Sequence, residues 1–233
     1  MDIALFSTDG FMFLLRWLHY FFGIIWIGIL YYFNFIQGSF FSEIEASVKS
    51  VATQKLVPRA LWWFRWGAMG TFLTGLAYLS IRAQQIGPIF YEIPWGVSIL
   101  LGALLGTLMW FNVWFVIWPA QKVVIQSATQ VAQGGQAIPE AASRGARATC
   151  ASRTNTLFSI PLLFYMGGAS HLAIGVDETS NFNLLWMVLF VIVGAIEFNA
   201  LKGKPGPMAS VRGVITSGFL LTAVFYACME FFL

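Results

Sequence analysis

FMFLLRWLHYFFGIIWIGILYYFNFIQG, residues 11–38, is an unbroken apolar run in which Arg16 is the only charge. As a helix it would be about 42 Å long at 1.5 Å per residue, more than the roughly 30 Å of bilayer hydrocarbon. Lipid offers no partner for an unpaired backbone N–H or C=O, so a run of this kind reads as a transmembrane helix. Five more runs follow it: Ala60–Ser80, Trp95–Trp118, Thr156–Val176, Phe182–Leu201 and Ala209–Phe231. Each is about 20 residues or more, the length one crossing needs.

The composition agrees. Of 233 residues, 58% are hydrophobic and 10% charged, against about a quarter charged in a soluble domain. The fold class expected is all-α, a polytopic bundle of six spans forming a single membrane domain over residues 1–233, with no room for a further globular module. The stretch before the first span carries Asp2 and Asp9, no basic cluster and no small-residue cleavage site, so it reads as a retained helix and not a signal peptide.

Between the spans, only 40–59 and 121–155 are long and polar. Residues 121–133 place Val123, Val124, Ser127, Ala128, Val131 and Ala132 at helical spacing before Gly134–Gly135. They read as the third span continuing out of the bilayer or along its surface. Gly102 and Gly106 form a small-residue pair whose ordinary use is packing within the chain. No repeat period stands out.

Lys49, Lys55, Arg59, Arg65, Lys122, Arg144, Arg147, Arg153, Lys202, Lys204 and Arg212 fall on one side of this arrangement, and only Arg16 and Arg82 on the other. That imbalance puts the first set in the cytoplasm and both termini outside. It also accounts for the net charge of +3 without nucleic acid. Cys150 and Cys228 make no CxxC, and no CxxCH occurs, so neither a disulfide scaffold nor a c-type haem is expected of these residues.

The chain has two histidines, His19 and His171, and both lie in predicted spans. His19 comes about 8 residues, or roughly 12 Å, down the first helix; His171 lies about 5 residues, or roughly 8 Å, from the outer end of the fourth. Ionisable residues in hydrocarbon are costly and mark partners or function. Two imidazoles at matched depth suit ligation of one haem b iron from both sides. Arg16, one turn outward from His19, could pair with a propionate. Gly23 and Gly167, each four residues from its histidine, would leave room for a flat ring. The competing reading makes each histidine an interhelical hydrogen-bond partner.

Near the cytoplasmic side, Asn34, Gln37, Arg65, Asn112, Glu197 and Asn199 form a second polar layer. It reads as structural glue by default, with a substrate or proton site as the alternative. Glu197 is the carboxylate well inside a span, and either Arg65 or Lys202 could offset its burial. The tryptophans at 62, 63, 66, 110, 114 and 118 read as interfacial belts and packing.

RWLHYFFGIIWIGILYYFNFIQ (16–37), MWFNVWFVIWPAQKVVI (109–125) and RTNTLFSIPLLFYMGGASHL (153–172) together resemble the membrane domain of bacterial urate hydroxylases. The likeness extends over nearly the whole chain. In that family the domain precedes a cytochrome c domain, and the resemblance implies oxidation of urate to 5-hydroxyisourate with electrons passed to the cytochrome. Without a CxxCH here, the expected partner is a separate cytochrome c, or other subunits of a membrane complex, at the outer face of a bacterial inner membrane. His19, Trp26, Gly28, Leu30 and Tyr31 are also distantly similar to the first helix of a membrane protoporphyrinogen oxidase family, whose histidine is held to bind haem b. Three classes follow: a haem b redox protein, catalytic or electron-relaying; an accessory, non-catalytic subunit of a respiratory or energy-converting complex; and a permease, ranked last because no polar path joins the two layers.

Overall fold

The computed structural model describes residues 3–172 and 174–233. Asp2, used above against a signal peptide, and Ala173, within the fourth predicted span, lie outside the described residues.

Seven helices and no strands make up the described chain. They are α1 (Thr8–Glu43), α2 (Ala46–Lys55), α3 (Val57–Ile86), α4 (Pro94–Ala132), α5 (Ala141–His171), α6 (Phe182–Lys202) and α7 (Val211–Phe232). The all-α bundle expected from the sequence is observed. Four of the helices, α1, α4, α6 and α7, are long and apolar enough to cross a membrane. The other two predicted spans fall on α3 and α5, helices of 30 and 31 residues with more polar sequences.

Local sequence explains the ends. Ser7 accepts from the Gly10 N–H, Asn181 from Leu184 and Ser210 from Gly213, each capping a helix start where the first N–H groups lack partners. Pro58 and Pro94 occupy first turns, where no N–H is needed. Gly87, at φ +81°, ends α3 in a conformation that disfavours a side chain. The 121–133 segment continues α4 as expected, stopping just before Gly134, which has φ +85°. The polar stretch 40–59, in contrast, contains α2, lodged between α3 and the end of α4.

α5 is the centre of the bundle and touches α1, α4, α6 and α7. Its buried face carries Thr154, Asn155, Thr156 and Ser159, each fully shielded. Those polar residues lower its hydropathy, yet they face protein and are satisfied there. Gly102 and Gly106 let α4 approach α5: a Cβ at Gly102 would meet the Met166 side chain at 3.1 Å and one at Gly106 would meet Leu162 at 3.4 Å. The pair is thus used within the chain.

α1 lies chiefly against α3. Gly67, Thr71 and Gly75, four residues apart, form the small-residue seam; a Cβ at Gly67 would sit 3.0 Å from the Trp26 backbone nitrogen. Such spacing lets helices approach where lipid gives no hydrophobic drive for association.

Both α1 and α4 change to π-helix for six residues, at Tyr32–Gln37 and Asn112–Ile117. The two segments disclose a repeat that composition and period did not: Gly28-x-Leu30-x-Tyr32-Phe33-Asn34 and Gly106-x-Leu108-x-Trp110-Phe111-Asn112. Each asparagine bonds across to α5, Asn34 Nδ2 to Ser152 Oγ at 2.8 Å and Asn112 Nδ2 to Asn155 Oδ1 at 3.0 Å. A π-turn re-aims side chains within a helix, and such segments recur at functional sites.

Candidate functional site

His19 is half-buried and faces α3. Its Nδ1 lies 2.9 Å from the Thr71 carbonyl oxygen and 3.4 Å from Thr74 Oγ1. A carbonyl only accepts, so this contact requires the hydrogen on Nδ1 and leaves the Nε2 lone pair free. A histidine whose other nitrogen donates to a backbone carbonyl is held in the tautomer an iron ligand needs. Gly75 makes room for the ring: a Cβ there would lie 2.8 Å from His19 Cε1. Gly23, expected to open the face beside His19, lies toward Thr71, whose Cγ2 is 4.0 Å from a Cβ built on it.

Arg16 donates to the Tyr78 hydroxyl at 2.8 Å, and its guanidinium lies 5.2 Å from that ring's centroid. It is exposed, one helical turn before His19.

His171 is the last residue of α5, not five residues inside a span. Beyond it Leu172 turns extended (φ −123°, ψ 105°), so the depth count taken along a helix to Val176 does not apply. His171 is exposed and lines a cleft of about 390 Å³ with Ile93, Pro94, Trp95 and Leu172. Gly167 faces open space. Among the described residues no hydrogen bond or ring contact joins His19 and His171. His19 is thus held with Nε2 unpartnered, and the two imidazoles make no direct contact with each other.

The inner layer is better assembled. Asn112 Nδ2 donates to Asn155 Oδ1 and to Glu197 Oε2, both at 3.0 Å, and Asn155 Nδ2 donates to the Met109 carbonyl at 2.9 Å. Asn34 is buried apart from this triad, on Ser152 and the Leu30 carbonyl. Arg65 does not meet Glu197. Its guanidinium stacks on Trp118, 3.6 Å from the ring centroid, with Trp114 at 5.5 Å. A flat, weakly hydrated guanidinium on an indole face is a favourable alternative to an ion pair at a membrane boundary. Lys202 is exposed at the end of α6, so neither cation expected to offset Glu197 does so. Asn199 holds the turn after α6, its Nδ2 donating to the Lys204 carbonyl at 3.0 Å.

Sequence reading missed Asn155 and Arg147. Asn155 ends the polar stretch 121–155 and is the third residue of the RTNTLF run, 153–158, inside α5. Arg147 donates to the carbonyls of Ala200 and Gly203, at 2.9 and 3.2 Å, and closes the end of α6. Nothing in the sequence marks it out from its basic neighbours.

The family described as Urate oxidase N-terminal matches residues 94–228. The chain belongs to this family. The match takes in α4 through most of α7, and with them Asn112, Asn155, His171 and Glu197; His19 and Arg16 lie before it. No curated protein and no solved structure matches the chain. Membership of the urate oxidase N-terminal family, with four helices able to cross a bilayer, makes this a membrane protein of the urate hydroxylase type.

Proposed function

We propose that this chain is a haem b-binding redox protein of urate oxidation, spanning a bacterial inner membrane six times with both termini outside. Electrons would leave it for a separate cytochrome, or another subunit of a membrane complex, at the outer face. The observation that carries the reading is the state of His19: the Thr71 carbonyl takes the Nδ1 hydrogen at 2.9 Å, and Nε2 is left as a ligand. Bound haem would supply one-electron transfer. Thr71 and Thr74 orient the imidazole, Gly75 admits its ring, and Arg16 beside Tyr78 supplies a cation on the outer side of the same seam. His171, with the open face at Gly167, would supply a second imidazole to hold the group.

Spectra of the purified protein test this. Reduction should bring up low-spin Soret and alpha bands, and His19→Ala should abolish them while Thr71 and Gly75 remain native. His171→Ala should convert the spectrum to high spin. Arg16→Ala should weaken retention of the cofactor less than loss of a ligand does. Unchanged haem content in both histidine variants would refute the assignment. Urate turnover is expected only when a cytochrome is supplied; steady turnover by the chain alone with oxygen would overturn the relay.

A further inference from the structure

Glu197, 7% exposed, and Asn112, fully buried, share an unbalanced set of hydrogen bonds. Asn112 commits both amide hydrogens, one to Asn155 Oδ1 and one to Glu197 Oε2, each at 3.0 Å. Its own Oδ1 is buried without a partner, and so is Glu197 Oε1. Asn155 donates from Nδ2 to the Met109 carbonyl and makes no bond to either leftover oxygen. Three side chains from three helices therefore leave two acceptors over, whereas buried polar atoms in folded proteins almost always have partners.

Cations do not resolve the deficit. Arg147 of α5 is bonded to the Ala200 and Gly203 carbonyls, and Arg65 lies on Trp118. Arg153, two positions before Asn155, forms no ion pair with Glu197 among the described residues. Lys202 on α6 and Arg212 on α7 are exposed. The Cys150 thiol points to the Asn199 carbonyl. On α7, Tyr226 and Cys228 are half-buried and Glu230 is exposed, near the far end of that helix.

A carboxyl and a carboxamide are both planar, and here one N–H···O bond already joins them. The two leftover oxygens, Glu197 Oε1 and Asn112 Oδ1, are the atoms a second parallel bond would connect. Only a hydrogen on the carboxyl group can make that bond, because the amide has none left. We propose that Glu197 is an exchangeable proton-binding site inside the membrane domain, its Oε1–H donating to Asn112 Oδ1 to close a two-bond acid–amide ring. Binding adds one proton to the carboxylate and moves no electrons, and both leftover acceptors are satisfied at once. The π-segment that begins at Asn112 gives the site its geometry, by aiming this amide between α5 and α6. The inference does not depend on the haem reading.

Infrared spectroscopy of the full chain in lipid nanodiscs tests it, with Glu197→Gln as the reference. The wild-type-minus-variant difference should contain the C=O stretch of a protonated carboxylic acid, shifted to lower frequency in heavy water. Asn112→Leu should move that band to higher frequency by removing its hydrogen-bond partner. Glu197→Gln, whose amide can donate to Asn112 Oδ1 in the same place, should keep the wild-type unfolding midpoint, while Glu197→Ala should lower it. If Asn112→Leu fails to fold, the glutamine variant and the deuterium shift still decide. Ionised carboxylate bands alone in the difference spectrum would overturn the proposal. So would bands that respond to added sodium but not to deuterium, which would indicate a cation site.

Discussion

Gly75→Ala is the most direct test of how His19 is held. A Cβ at residue 75 lies 2.8 Å from His19 Cε1 and 3.0 Å from Nδ1, whereas contacting heavy atoms settle at about 3.5–4.0 Å. The ring must retreat by about 0.5–1 Å. Its bond to the Thr71 carbonyl, 2.9 Å long, would then stretch toward the limit of about 3.5 Å beyond which little hydrogen bonding is left. Overpacking costs about 1–3 kcal/mol, and the bond is worth about 0.5–1.5 kcal/mol net. Gly75→Ala should therefore lose about 2–4 kcal/mol, a factor of about 30 to 1,000 in the unfolding equilibrium. Reversible unfolding in mixed micelles, followed by tryptophan fluorescence, measures it. His19→Ala removes the obstacle, so on that background the glycine substitution should be nearly neutral, and the double-mutant cycle should show about 2 kcal/mol of coupling. Additivity within about 0.5 kcal/mol would mean that the imidazole does not lie against Gly75, and the argument for a pre-set Nε2 would fail with it.

Arg147→Met should destabilise the end of α6 by about 2 kcal/mol, because the Ala200 and Gly203 carbonyls lose a charged donor; faster amide exchange confined to residues near Lys202–Lys204 would confirm the location. Asp177 accepts from both the N–H and the hydroxyl of Thr179, each at 2.7 Å, which holds its carboxyl below the ordinary carboxylate value. Because the folded value is the lower one, any stabilising effect is present above the unfolded value and fades as pH falls through the folded one. Thr179→Val should move the Asp177 midpoint up toward the unfolded value in an NMR carboxyl titration. Single cysteines at Ser47, Gln136 and Gly203, in a variant lacking Cys228, should label from the cytoplasm and those at Glu92 and Thr179 from outside; one reversed site would overturn the six-span arrangement. Trp118→Leu should cost about 1 kcal/mol by removing the face on which Arg65 rests, read as a lower unfolding midpoint.

The long apolar runs of α1, α4, α6 and α7 were legible because lipid imposes one rule on every residue of a crossing: backbone groups pair locally and side chains are apolar. The Gly134–Gly135 break that ends α4 was legible for a local reason as well, since the positive φ of Gly134 depends on its own backbone. Basic residues between the runs set an expected orientation for the same reason, one charge at a time. Depth did not follow from counting. His171 terminates α5 because the helix stops there, and a window of hydropathy cannot detect that Leu172 turns extended. Pairing was equally hidden. Asn155 and Glu197 are 42 positions apart in the sequence and meet through Asn112, while Arg65 turns to Trp118. Sequence alone thus determined that the chain is an all-helical membrane protein and that Asn34, Asn112 and Glu197 lie within its helices. Which of them touch was decided only by the packing of α4, α5 and α6, because a side chain's partner depends on the rotation and register of separate helices, and two six-residue π-segments alter both.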